Sequence, residues 1–213
     1  GHAVRANYLY AGIADLYAET GEEKLMENLK SIWEDVAYRK MYITGACGAL
    51  YDGVSPDGTS YNPDEVQKIH QAYGRPFQLP NATAHTETCA NIGNVLWNWR
   101  MLQLTADAKY ADVMELALYN SVLSGISLQG TEFCYNNPLN VSEKLPFKQR
   151  WGNAREGYIA WSNCCAPNVT RTLAQVSNYA YNFSKEGLYV NLYGRNHLKS
   201  QTLNGDKIEI EQQ

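Results

Sequence analysis

Paired apolar stripes at helical spacing constrain this chain more than any other feature. Val4, Leu9, Ile13 and Leu16 keep a period near 3.6, and after the Gly21 break Leu25, Leu29, Ile32, Trp33 and Val36 keep it again. Residues 1–40 therefore predict two antiparallel helices. Ile92, Val95, Leu96, Trp99 and Leu102 form a third stripe, and Tyr110, Val113, Met114 and Ala117 a fourth, across a turn at Thr105-Ala106-Asp107. Each pair sets a threonine at its turn and a lysine four residues on, Thr20 with Lys24 and Thr105 with Lys109, which is a weak internal repeat of a helical hairpin. A fifth helix is predicted to begin at Pro167, where proline suits the first turn, and to run through Val169, Leu173 and Val176 towards Tyr181. The period then changes. Leu188-Tyr189-Val190-Asn191-Leu192-Tyr193 is rich in β-formers, and Asn204-Gly205 is a turn signal ahead of Lys207-Ile208-Glu209-Ile210. The expected fold class is mainly α, with helices over residues 1–185 giving way to β structure over 186–213.

Composition narrows the partners. A net charge of −4 on 213 residues with 45% apolar content describes a soluble globular protein with material for a sizeable core. No apolar run approaches the roughly 20 residues of a membrane span, and no basic block offers a nucleic-acid footprint, so neither partner is expected. The 16 tyrosines and 5 tryptophans suit surfaces that hold sugars by stacking, although most such rings belong to cores. The chain opens at Gly1-His2 directly in a helical pattern and closes within alternating apolar and polar residues, which is expected of part of a longer protein and leaves localisation unread. Between the second and third helices, residues 44–84 are dense in Gly, Pro, Asp and Asn, and long loops of this kind usually carry function.

Three of the five cysteines fall in two tight groups, Glu87-Thr88-Cys89 and Cys164-Cys165, each just before a predicted helix. A helix N-terminus favours negative charge, and the thiolate is the ligating and nucleophilic form of cysteine. Residues i and i+2 point the same way only on extended chain, so joint chelation by Glu87 and Cys89 predicts a helix that starts after them, at Ala90. Three sulfurs and a carboxylate make a tetrahedral zinc set whose soft ligands disfavour magnesium and calcium and leave iron open. On spacing alone a metal and a group of buried free thiols weigh evenly. A disulfide framework is disfavoured, because Cys47 and Cys134 lie in unrelated contexts and a chain of this length has its own core.

Gly1-His2-Ala3-Val4-Arg5, Leu79-Pro80-Asn81, Glu87-Thr88-Cys89-Ala90, Asn137-Pro138-Leu139 and Cys164-Cys165-Ala166-Pro167-Asn168 occur here in the order found in the β-L-arabinofuranosidases of glycoside hydrolase family 127, which the chain resembles over nearly its whole length. The resemblance implies the later part of an (α/α)6 barrel followed by the opening of a β-sandwich domain. It also implies zinc held by Glu87, Cys89, Cys164 and Cys165, with Cys164 as the nucleophile of a retaining glycosidase and Glu87 in reach of the substrate. Carbohydrate is the implied substrate, a homodimer is compatible with it, and a bacterial cytoplasm or periplasm is the implied setting.

The same comparison exposes a departure. Relatives carry a glutamate in a context like His-Glu-Ala-Phe-Gly, where this chain reads His70-Gln71-Ala72-Tyr73-Gly74, so Gln71 stands at the acid/base position. An amide has no titratable proton, and general acid–base catalysis is worth about 10²–10⁴-fold. Engineering, specialisation for an acidic plant-polysaccharide sugar, and loss of hydrolysis all fit this change. His2 and Tyr135 match sugar-contacting positions of relatives, with Phe133 as the alternative for the tyrosine. His70 and His85 flank the site, although loop histidines are commonly just solvated, and Trp97 and Trp99 are expected to serve the core. A zinc-stabilised, non-hydrolytic carbohydrate-binding protein is the competing reading. A lyase or epimerase ranks last, since those chemistries want a Tyr or His base rather than a chelated thiolate.

Overall fold

The computed structural model describes residues 2–50, 71–81, 84–140, 154–157 and 164–213. Among them five α-helices carry the core: α1 (Ala3–Thr20), α2 (Glu23–Arg39), α3 (Thr88–Thr105), α4 (Ala108–Ala117) and α5 (Cys165–Gln175). A turn of π-helix, Leu118–Val122, extends α4, and a 3-10 turn, Val176–Tyr179, extends α5. The chain is about half helical, and its strands form small antiparallel pairs: β1 (Ala49–Leu50) with β2 (Ala84–His85), β3 (Phe133–Cys134) with β4 (Arg155–Glu156), β5 (Tyr181–Ser184) with β6 (Gly187–Val190), and β7 (Asn196–Gln201) with β8 (Lys207–Gln212). No helix of the described residues is long and apolar enough to cross a membrane.

Helix α3 is the central element, packed against α1, α4 and α5 and buried on most of its surface. Ile92, Val95, Trp97 and Met101 join Leu29, Trp33, Tyr110 and Met114 in one apolar core. Trp97 is fully buried, whereas Trp99 is only partly so and packs on Tyr179 with ring centroids 5.1 Å apart. The stripes expected for α2 and α4 face this core, but that of α1 does so only in part: Ile13 packs against it, whereas Leu9 and Leu16 are exposed and Ala3, Asn7, Ala11 and Ala14 are buried instead. The reason is a close approach to α3. A Cβ added to Gly93 would lie 2.9 Å from the Cβ of Asn7 and 3.0 Å from the ring of Tyr8, so the α1 face turned to α3 takes small side chains and the leucines point away.

The repeat of hairpin turns has a structural counterpart. Thr20 Oγ1 donates to the Leu16 carbonyl and accepts from Glu22 N, while Thr105 Oγ1 donates to Met101 and accepts from Asp107 N. Gly21 and Ala106 both close their helices in the left-handed region, at φ 65° and 53°. Asp107 then caps α4 by accepting from Lys109 N.

Helix α5 starts at Cys165, two residues before Pro167, because a proline tolerates any position of a first turn whose N–H groups lack intrahelical partners, and its α-helical part ends at Gln175. Tyr181 belongs to β5, which the sequence reading left in the helix, and the strand expected over 188–193 leaves its ladder after Val190. The hairpin β7–β8 alternates half-buried and exposed residues through a turn with Gly205 at φ 88°.

Buried asparagines fasten the irregular segments to the helices. Asn91 Oδ1 accepts from Cys47 N, and its Nδ2 donates to the carbonyls of Ser121 and Thr86. Asn94 donates to Gly45 O and Met41 Sδ, and Asn98 accepts from Trp33 Nε1 at 2.7 Å. Asn7 donates to Ala90 O and to Cys47 Sγ and accepts from the Tyr73 hydroxyl. Removing such a side chain leaves several backbone groups buried without partners, each costing about 1–3 kcal/mol. Asn91→Ala should lower stability by about 3 kcal/mol, read as a shift in the urea midpoint, while Leu9→Ser should stay within about 0.5 kcal/mol. Equal midpoints for the two variants would contradict the assignment.

Candidate metal centre

Two helix N-termini bring four ligand-type side chains together. Glu87 is the N-cap of α3, still extended at φ −59° and ψ 128°, and the helix runs from Thr88. It thus begins two residues before Ala90, with Cys89 inside its first turn. Glu87 and Cys89 nonetheless converge, because the chain turns helical between them. Cys164 is the N-cap of α5 and Cys165 its first residue, so the cysteine pair also lies at a helix start rather than ahead of it.

The approach to Glu87 is fixed by hydrogen bonds to the neighbouring segment 134–137. Glu87 pairs antiparallel with Asn136. Thr88 N donates to Tyr135 O at 3.0 Å, and its hydroxyl donates to Cys134 O at 2.8 Å. Asn136 accepts from Thr86 N at 2.8 Å and donates to Ala84 O at 3.1 Å, holding strand β2 against the same segment.

One ligand atom from each of Glu87, Cys89, Cys164 and Cys165 lies within 4.8 Å of every other. Cys89 and Cys165 Sγ are 3.3 Å apart, Cys164 and Cys165 Sγ 3.7 Å, and Cys164 Sγ is 3.9 Å from Glu87 Oε1. A disulfide would need about 2.05 Å, and all five cysteines are free. Tetrahedral zinc with metal–sulfur bonds of about 2.3 Å sets ligand atoms about 3.7 Å apart, close to these edges.

The electrostatics suit a cation. Cys89 and Cys165 are held above the usual thiol range, chiefly by hydrogen bonding to Cys164, with burial adding to it. Three adjacent sulfurs cannot all ionise without a compensating positive charge. Glu87 Oε2 is buried with no hydrogen-bond partner among the described residues, although His85 Nε2 lies 3.7 Å away. An orphaned carboxylate oxygen beside three thiols fits a divalent ion of zinc type, and the donor set fits hard cations poorly.

The surroundings sort the remaining candidates. Tyr135 is buried against Cys89 and Cys165, and its hydroxyl is kept protonated first by burial and then by the negative groups at Glu87, Cys165 and Cys164. Phe133 instead packs against the main core. His2 is the N-cap of α1; its Nδ1 is buried without a partner among the described residues, and the residue pairs antiparallel with Ala72. Gln71 is buried beside it in the left-handed region at φ 57°, its carbonyl accepting from Ala3 N at 2.8 Å. Val4, one residue on, packs against Cys89, Tyr135 and Cys165. His85 is fully buried in β2, not solvated, since β2 is enclosed by β1 and the 134–137 segment. His70 lies outside the described residues. The sequence reading missed Asn136 and Asn168. Asn168 donates to Cys89 Sγ at 3.1 Å; its signals were its place in the Cys164-Cys165-Ala166-Pro167-Asn168 motif and its position one turn after Cys164, on the same helix face.

Known proteins resemble this chain in sequence and fold. Residues 1–178 match the β-L-arabinofuranosidase, GH127 catalytic domain. The non-reducing end β-L-arabinofuranosidase of Bifidobacterium longum subsp. longum is 31% identical over 183 residues, which are 85% of this chain and 25% of that protein. A solved glycoside hydrolase superposes with a TM-score of 0.90 at 62% identity, covering 100% of this chain and 35% of that one. The GH127 β-L-arabinofuranosidase Ara127N of Geobacillus stearothermophilus T6 follows at TM-score 0.79 and 37% identity, covering 100% of this chain and 31% of that one. The chain thus spans about a quarter to a third of the relatives it matches. Family match and structural likeness agree along the whole α-helical part, and the chain belongs to glycoside hydrolase family 127.

Proposed function

We propose that this chain carries the zinc–thiolate catalytic centre of a retaining glycoside hydrolase acting on β-L-arabinofuranoside-like or acidic plant-polysaccharide sugars, with Cys164 as nucleophile. On this reading residues 1–185 are the later part of an (α/α)6 barrel and residues 186–213 open a β-sandwich domain. The observation that carries it is an asymmetry of burial: Cys89, Cys165 and Glu87 are buried, and Cys164 alone of the four is exposed. A purely structural zinc site has no need of an open ligand, whereas a nucleophile must meet the sugar.

Zinc, when bound, keeps thiols deprotonated at neutral pH. The chemistry asked of the chain is a double displacement. The Cys164 sulfur forms a bond to the anomeric carbon as the bond to the leaving oxygen breaks, and water then displaces the sulfur, restoring the original configuration. The sugar would rest between His2, whose buried Nδ1 has no hydrogen-bond partner among the described residues, and Tyr135, whose neutral hydroxyl can donate. Glu87 borders the same space.

The leaving oxygen requires a proton, and Gln71 has none to give. This favours either a substrate that brings its own carboxyl group, which an amide can hydrogen-bond where a glutamate would repel it, or the second reading, a zinc-stabilised protein that binds sugar without hydrolysing it. Gln71→Glu is expected to raise kcat/KM on a neutral β-L-arabinofuranoside by about 10²–10⁴-fold and to weaken turnover of uronic-acid-bearing sugars. No gain on the neutral sugar would remove position 71 from acid–base catalysis.

The nucleophile is tested separately. An electrophilic arabinofuranose analogue should label Cys164 and none of Cys47, Cys89, Cys134 or Cys165, as mapped by peptide mass. Cys164→Ser should lower kcat by at least about 10⁴-fold. Full turnover in a zinc-loaded Cys164→Ser protein would exclude the role, and resistance of Cys164 to the analogue would favour the binding protein.

A further inference from the structure

We propose that Asn168 is a positioning residue that clasps the two halves of the ligand set and commits Cys89 to holding the metal, so that attack falls to Cys164; this rests on the metal-and-nucleophile reading above. The ligands come from two helices: Glu87 and Cys89 from the start of α3, Cys164 and Cys165 from the start of α5. Asn168 sits on α5 and reaches across to α3. Its Nδ2 donates to Cys89 Sγ at 3.1 Å, inside the range of a good N–H···S bond, while its own N–H is tied to Cys164 O at 3.0 Å and its carbonyl accepts from the Thr172 hydroxyl at 2.8 Å. One residue is thereby tied by its backbone to the attacking cysteine and by its side chain to a ligand on the other helix.

The bond also acts on charge. A sulfur that accepts an amide proton carries less negative charge and is a weaker nucleophile, and a bond to an ionised acceptor is stronger than one to a neutral thiol. Cys89, buried with its thiol directed to Cys165 and a lone pair taken by the Asn168 amide, is therefore the sulfur least suited to attack and best fixed as a ligand. Because an amide does not titrate, the donor is present at every working pH.

Partners of this kind, which touch a ligand and not the metal, typically change metal affinity or activity by about 10- to 100-fold when removed. The test uses the purified protein with zinc and with cobalt(II) in its place. Asn168→Ala should weaken zinc binding about 10- to 100-fold in competition with a chromophoric chelator, and should move the thiolate-to-cobalt charge-transfer band to lower energy, because the sulfur becomes more electron-rich. Asn168→Asp keeps the shape but sets a carboxylate against the sulfur, and should lose at least as much affinity. Where the alanine variant does not fold, the aspartate variant decides. For hydrolysis, kcat should fall with KM nearly unchanged. Unaltered zinc affinity and an unaltered cobalt band in a folded variant would overturn the role of Asn168, even with turnover lowered. Altered affinity and band without arabinofuranoside turnover in the parent protein would keep the role of Asn168 and count against the hydrolase reading.

Discussion

Irregular backbone can be buried only where something other than a regular ladder satisfies its N–H and C=O groups, and here that partner is a row of amide side chains. Asn91, Asn94 and Asn98 stand at successive turns of α3, and Asn7 faces them from α1. Through them the 41–47 segment, the stretch that follows β2 and the π-helical turn after α4 are fixed to one rigid helix. The metal-ligand cluster depends on this arrangement. Glu87 and Cys89 stand at the cap and in the first turn of the helix that carries these amides, and a displacement of even about 1 Å would spoil the tetrahedron that a zinc ion, with bonds of about 2.3 Å, would require.

The buried thiols show how surroundings decide chemistry. Cys47 is enclosed by Asn7, Tyr73 and Ala90, and burial pushes it up to about 11, so it stays a thiol at neutral pH and serves packing. Cys89 and Cys165 are raised as well, but chiefly by hydrogen bonding to Cys164, with burial adding to it. A raised thiol in an apolar wall is a finished structure, whereas three thiols beside a carboxylate oxygen with no hydrogen-bond partner among the described residues form a cluster that could hold a cation. Metal binding by such a cluster releases protons, so affinity should rise with pH until the thiols are fully ionised.

Helix existence and most core faces were legible in the sequence, because α2 and α4 each have one apolar side and one wet side. Helix α1 was misread since its contact with α3 is built on small residues opposite Gly93, and a pattern of large apolar residues points at the wrong face when close approach selects the small ones. The four ligands were legible as residue types near helix starts, and their convergence was not, because nothing local in the chain records how α3 and α5 meet. His85 was misjudged for a related reason. A two-residue strand leaves almost no periodic signal, and its burial comes wholly from Asn136 and the segments around it. Asn168 was hidden by its ordinary appearance, since an asparagine after a proline in a first helical turn reads as a cap.

Helices α1, α3 and α5 converge on the site by their N-termini, and none of their N-cap residues, His2, Glu87 and Cys164, makes a side-chain capping bond. A conventional cap is worth about 1 kcal/mol, and α4, which ends elsewhere, keeps one in Asp107. At the site two of the first free N–H groups are satisfied by loop carbonyls, Ala3 N by Gln71 and Thr88 N by Tyr135. This substitution releases the side chains of His2 and Glu87 from stabilising their own helices. It also makes the loops part of the helix ends, so the left-handed backbone at Gln71 is held by the start of α1 whatever side chain stands at that position. A change between glutamate and glutamine there alters the chemistry offered to a substrate while the anchoring bond, which uses only the carbonyl, is untouched.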